Sequence, residues 1–144
     1  MTPRFDHVGI SVPDLEAATA WYREALDLTE EHAFAVPGTD LRGVMLRHAS
    51  GYRVELLHRP GAVPGLAADS PLEAAHTLGL GHLCLSVDTP AELDLAYARL
   101  VAKGALECMT PRPAPRPGAR MAFVADPYGN LIELIDRPPT SAAA

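Results

Sequence analysis

The chain has little that would tie it to a secreted, membrane or nucleic-acid setting. It carries 2 cysteines in 144 residues. Cys84 and Cys108 have no CxxC spacing and do not suggest a disulfide framework. No apolar run approaches the roughly 18 residues needed to span a bilayer. The opening Met1-Thr2-Pro3-Arg4-Phe5 has no apolar signal-peptide stretch. Basic residues are outnumbered, 12 Lys and Arg against 18 Asp and Glu, for a net charge of −6. Phosphate binding wants clustered cations, so no nucleic-acid partner is expected. These absences together predict a soluble cytoplasmic protein with neither a membrane nor a nucleic-acid partner. The 48% apolar content is enough for a hydrophobic core, in one domain or in two small modules sharing a core.

What the chain does have is a repeated message. The first half reads Phe5-Asp6-His7-Val8-Gly9-Ile10-Ser11-Val12, then a helical pattern, then Gly51-Tyr52-Arg53-Val54-Glu55-Leu56-Leu57. The second reads Gly81-His82-Leu83-Cys84-Leu85-Ser86-Val87-Asp88, a helical pattern, then Gly129-Asn130-Leu131-Ile132-Glu133-Leu134-Ile135. Each half places one His at the start of an apolar strand-like run. Each places one Glu in a later run, at the fourth position after a Gly. Two His and two Glu at matched positions of a duplicated unit make a candidate metal site of His7, Glu55, His82 and Glu133.

The apolar periodicity predicts a strand over 5–12 and a helix from Asp14, whose carboxylate can cap the first turn. Leu15, Ala18, Trp21, Tyr22, Ala25 and Leu26 recur at helical spacing. Strands are predicted near 30–36, 43–48 and 52–58. A connector over 61–79 is rich in Pro, Gly, Ala and Asp, with a helical turn after Ser70-Pro71. The second half predicts a strand over 81–87 and a helix opened by Thr89-Pro90-Ala91-Glu92, a capping box with Pro at the first helical position. Leu93, Ala96, Tyr97, Leu100 and Val101 form its apolar face, and Gly104 caps its end. Strands over 105–109, 121–125 and 130–136 follow, with a stiff, basic, Pro-rich loop over 110–120. The fold class is therefore α+β, as two β-α-β-β-β modules over 1–60 and 80–137, with a disordered tail over 138–144.

Residues two apart on a strand share a face. His7 thus shares a face with Gly9 and Ser11, His82 with Cys84 and Ser86, and Glu133 with Leu131 and Ile135. Glu55 and Glu133 are acids inside apolar runs, where burial without a partner is expensive. A divalent cation between them removes that cost. Two imidazoles and two carboxylates suit Zn²⁺, Ni²⁺, Co²⁺, Mn²⁺ or Fe²⁺ without choosing among them. A lone strand His is usually structural and a lone strand Glu usually faces solvent; the matched repeat is what singles these four out. His32, His48, His58 and His76 lack symmetric partners and are expected at the surface, with His48 and His58 nearest a pocket edge. Cys84 is open to lining the pocket, with a small buried filler the commoner role for such a residue, and Trp21, Tyr22 and Tyr97 are expected as core residues. Arg47 and Arg53 are open to an anionic substrate or to plain solvation.

Paired β-α-β-β-β modules with His early and Glu late resemble the vicinal oxygen chelate superfamily. It includes glyoxalase I, methylmalonyl-CoA epimerase, extradiol dioxygenases, and the fosfomycin- and bleomycin-resistance proteins. The resemblance rests on Phe5-Asp6-His7-Val8, on Gly81 to Val87 and on Ala122 to Glu133, and spans Phe5 to about Arg137. It implies a curved mixed sheet forming a cleft with a metal at its base, and modules that pair within one chain or across a homodimer. The full His/Glu/His/Glu set looks most like glyoxalase I, which implies a lyase or isomerase acting on a small molecule by proton transfer next to a carbonyl. By the same resemblance Glu133 is the base, Glu55 the second acid–base group, and His7 and His82 lasting ligands. The related epimerase usually carries Gln where this chain has Glu55. Extradiol dioxygenases use two His and one Glu. A non-catalytic antibiotic binder would use the same cleft. No clear glutathione-binding set is present. Asp69-Ser70-Pro71 and the Arg-Pro-rich loop look somewhat like the epimerase, which keeps an acyl-CoA substrate open.

Overall fold

The computed structural model describes residues 1–65 and 67–137. The tail predicted over 138–144 lies outside the described residues. The chain divides into two compact units, Met1–Pro64 and Gly65–Ala144.

The first unit runs β1 (His7–Ser11), α1 (Leu15–Leu26), β2 (Thr29–Ala35), β3 (Arg42–Arg47) and β4 (Arg53–His58). Its sheet has the order β1-β4-β3-β2, with β1 parallel to β4 and the other pairs antiparallel. The Asp14 carboxylate caps α1 by accepting from the Ala17 N–H at 2.8 Å. Leu15, Ala18, Tyr22, Ala25 and Leu26 on α1 are buried with Val44, Leu46, Val54 and Leu56 of the sheet. Alternation on β4 then leaves Glu55 on the opposite face from Val54 and Leu56.

The second unit runs α2 (Pro71–Ala74), β5 (Leu83–Val87), α3 (Pro90–Ala102), β6 (Leu106–Pro113), β7 (Arg120–Ala125) and β8 (Leu131–Asp136). Its order, β5-β8-β7-β6, repeats that of the first sheet, again with a single parallel pair. Both helix starts here use one device. Ser70 and Thr89 accept from the N–H of Glu73 and Glu92, while each Glu reaches back to the N–H of Asp69 or Asp88. Gly104, with φ of 91°, ends α3 as its spacing predicts.

Three expectations need correction. The first strand starts at His7, and Phe5 is exposed, because the ladder to β4 begins at the His7–Arg53 pair. His82 immediately precedes its strand, which starts at Leu83. The segment 110–113 is strand, since β6 continues to Pro113. Its prolines are tolerated because β6 is the sheet edge and the register shifts between Met109 and Arg112, around Pro111. Among the described residues no helix is long and apolar enough to cross a membrane.

Candidate metal and catalytic site

The site is built twice, by the same register step. On the first unit Gly9 of β1 lies opposite Glu55 of β4. His7, two residues before Gly9, reaches diagonally along the shared face, and its Nε2 lies 3.4 Å from Glu55 Oε2. A Cβ at Gly9 would lie 3.4 Å from that same oxygen, in van der Waals contact with it. On the second unit Cys84 of β5 lies opposite Glu133 of β8, and His82 Nε2 lies 2.9 Å from Glu133 Oε2. The structure thus pairs His7 with Glu55 and His82 with Glu133. Both carboxylates are sheltered, with side-chain exposures of 21% and 15%. Among the described residues no three His, Cys, Asp or Glu side chains gather closely enough to hold an ion. What the fold builds is two pairs, one on each unit.

The surroundings of the two pairs differ. His7 Nδ1 lies 2.9 Å from Asp6 Oδ1. The Asp6 hydrogen bond is the main reason that the His7 pKa is raised, with the charges of Glu55 and Asp6 acting in the same direction. The Asp6 carboxyl is lowered in turn, chiefly by its hydrogen bond to His7. In the second unit Gly81 stands where Asp6 would be. Phe123 meets the His82 ring edge-on instead, at 5.2 Å between centroids. Phe123 pairs with Glu133 as Met45 pairs with Glu55.

Cys84 is exposed as a residue, against the commoner role of buried filler: it is on the face of His82 and Ser86, away from α3. Burial, then the charge of Glu133 and a hydrogen bond to it, push the thiol up to about 12.

The other candidates are engaged elsewhere. Arg53 grips Glu31 with two bonds of 2.9 and 3.1 Å, and Arg47 lies 3.7 Å from the same carboxylate. His48 bonds Ser50 at 2.8 Å and stacks on Tyr52; His58 lies 3.2 Å from the Val12 carbonyl; His32 and His76 are exposed. Tyr22 and Tyr97 are buried, as helical spacing predicts. Sequence reasoning did not assign roles to Asp6, Gly9 or Phe123. Asp6 was legible as a neighbour of His7, whereas Gly9 and Phe123 required the strand register.

The family model described as "Glyoxalase/Bleomycin resistance protein/Dioxygenase superfamily" matches residues 4–134. The chain belongs to this superfamily. Among curated relatives of this superfamily member, human mitochondrial methylmalonyl-CoA epimerase is 34% identical over 103 residues, covering 67% of this chain and 54% of the relative. The chain therefore spans about half the length of the curated relatives it matches. Its fold is shared with a glyoxylase/bleomycin resistance protein/dioxygenase domain from Frankia sp. EAN1pec, at a TM-score of 0.77 and 22% identity, covering 97% of this chain and 96% of that one. Glyoxalase I from Zea mays gives a TM-score of 0.72 at 22% identity, covering 95% of this chain and 46% of that one. Members of the superfamily are often enzymes and commonly bind a divalent metal and a small molecule. The donor chemistry here fits such an ion: each unit offers an imidazole nitrogen and a sheltered carboxylate oxygen on one strand face.

Proposed function

We propose that this chain is a metal-dependent enzyme that moves a proton on and off a carbon next to a carbonyl. In this reading His7, Glu55, His82 and Glu133 hold one divalent ion, within the chain or across a homodimer. The observation that carries it is the repeated pair: an imidazole Nε2 facing a carboxylate oxygen at equivalent register on both units. Two nitrogens and two oxygens suit Zn²⁺, Ni²⁺, Co²⁺, Mn²⁺ or Fe²⁺. When bound, the ion supplies Lewis-acid polarisation of a substrate oxygen.

The side chains do the rest. A hydrogen next to a carbonyl is weakly acidic, so a carboxylate held beside the carbon serves as general base and returns the proton as general acid. Glu133 takes this role, Glu55 is the second acid–base group, and His7 and His82 stay as ligands. Two acids from equivalent units suit an epimerisation, in which a proton leaves one face of a carbon and returns to the other.

An acyl-CoA thioester is the first substrate class to test, because the curated relatives bear the name methylmalonyl-CoA epimerase. The fold likeness to glyoxalase I, with an acid at Glu55, favours a thiol hemithioacetal as the second.

The test starts with elemental analysis of protein purified without chelator. The metal-loaded protein is then incubated in deuterated water with methylmalonyl-CoA, or with methylglyoxal and a thiol. Stoichiometric metal, and deuterium entering the carbon next to the carbonyl, are expected. Full metal occupancy with no exchange from either substrate would sink the proton-transfer reading. Oxygen uptake with catechols by iron-loaded protein would point instead to ring cleavage.

A further inference from the structure

The geometry points to Asp6 as a positioning residue that fixes His7 with Nε2 presented to the metal, so that the first unit is the anchored half of the site. This rests on the metal reading above. An ionised carboxylate can only accept hydrogen bonds, so the 2.9 Å contact from Asp6 Oδ1 places a proton on His7 Nδ1. Once the ring gives up its other proton, Nε2 carries the free lone pair, and Nε2 is the atom that faces Glu55. The hydrogen bond at one ring nitrogen selects what the other can do.

Asp6 stands at the end of a chain of charges. Arg53 Nη1 lies 3.8 Å from Asp6 Oδ2. The same guanidinium is forked onto Glu31, its Nε and Nη2 donating at 2.9 and 3.1 Å. Glu31 is the extra residue where the β2–β3 register shifts between Glu30 and His32. The bulge leaves Glu31 out of the ladder, and its carboxylate reaches Arg53 on β4. Arg53 in turn pairs with His7 across β1 and β4.

The second unit lacks every link of this chain. Gly81 occupies the place of Asp6, and Leu131 that of Arg53. The His82 ring is held by Glu133 and by the edge-on Phe123 ring, an apolar support. The first imidazole is therefore oriented by a charged neighbour and the second by packing.

The test uses the full chain with Zn²⁺ and Co²⁺ as probes. Asp6→Ala is compared with Asp6→Asn, whose side-chain oxygen can still accept from Nδ1–H, and with His7→Ala. Asp6→Ala should weaken metal binding roughly 10- to 100-fold. Asp6→Asn should recover most of that loss, and the Co²⁺ visible spectrum should change in Asp6→Ala but not in Asp6→Asn. In metal-free protein, at a pH where the ring is neutral, nitrogen NMR should show His7 protonated at Nδ1. That preference should be lost in Asp6→Ala. Unchanged metal affinity and an unchanged tautomer in Asp6→Ala would overturn the inference. Wild-type protein that binds no metal, yet shows the Asp6-dependent tautomer, would overturn the proposed function and confine Asp6 to orienting the ring.

Discussion

Cys84 stands directly across the β5–β8 pair from Glu133, on the same strand face as that carboxylate. The repeat places Gly9 opposite Glu55 at the same step, so one acid has a thiol neighbour and its counterpart has none. With its pKa pushed up to about 12, Cys84 holds little thiolate in mildly alkaline buffer, although the residue is exposed. Alkylation goes through the thiolate. Against a free thiol near 8.5, labelling of Cys84 should be slower by roughly a thousandfold. Timed iodoacetamide labelling with peptide mass spectrometry measures this. Labelling of folded protein as fast as unfolded protein would contradict the raised thiol pKa.

Phe34 lies across from Gly43 on the β2–β3 pair, with its ring over the glycine. A Cβ at Gly43 would come within 2.8 Å of the Phe34 Cε1 atom. Gly43→Ala should therefore displace the ring and destabilise the fold by about 1–3 kcal/mol. Urea denaturation of the variant, and of Gly43→Ala combined with Phe34→Ala, tests the cause. The double variant should show a smaller penalty for the added methyl, and an equal penalty would assign it elsewhere.

The repeat was legible because each half switches visibly between two periodicities, alternate residues in Val54-Glu55-Leu56 and helical spacing from Leu15 to Leu26. Caps were legible for a local reason: Thr89-Pro90-Ala91-Glu92 contains both partners of its own hydrogen bonds. What escaped depends on neighbours distant in sequence. The strand through Pro111 and Pro113 exists because β6 is an edge with a shifted register, which a local reading cannot supply. For Cys84 two local signals disagree, residue type favouring a buried filler and strand parity the face of His82, and the structure follows parity. Sequence spacing singled out the two His and two Glu; Asp6, beside one ring, is legible as a neighbour of His7, while Phe123, beside the other, needed the strand register.

Asp126 is fully buried in the turn that leads into β8. Its carboxylate accepts from the Tyr128 N–H at 2.9 Å, the Asn130 N–H at 2.8 Å and Asn130 Nδ2 at 2.8 Å. Asp126→Ala strands these donors away from water and should cost about 2–4 kcal/mol. The turn sets the start of the strand carrying Glu133, so amide exchange in β8 should accelerate beyond what global destabilisation explains. Protection in β8 that falls only in step with global stability would disprove that link.

Tyr97 donates its hydroxyl to Glu107 at 2.8 Å. Burial first, then that bond and the Glu107 charge, push its phenol up to about 12. A folded pKa above the unfolded value near 10 means that the folded state keeps a proton which the unfolded chain releases. The contribution is complete below pH about 10 and is lost as pH rises through about 12. Denaturant midpoints followed across this range should fall less steeply in Tyr97→Phe than in wild type. Parallel curves would show that Tyr97 titrates alike in both states.

Glu133 and Glu55 hold equivalent register positions, yet the proposed mechanism assigns them unequal work. Gln keeps the shape and one ligating oxygen of Glu but has no useful basicity. Glu133→Gln should lower turnover by about 10²–10⁴-fold, the usual worth of a general base, while bound metal falls only modestly. Glu55→Gln should retain more turnover and His82→Ala should lose the metal. Deuterium exchange at the substrate carbon, with metal content measured on the same samples, separates the two effects. Equal losses from both Gln variants would make the acids a symmetric pair, each serving one face of the substrate carbon. Full exchange in Glu133→Gln would remove it from the proton path altogether.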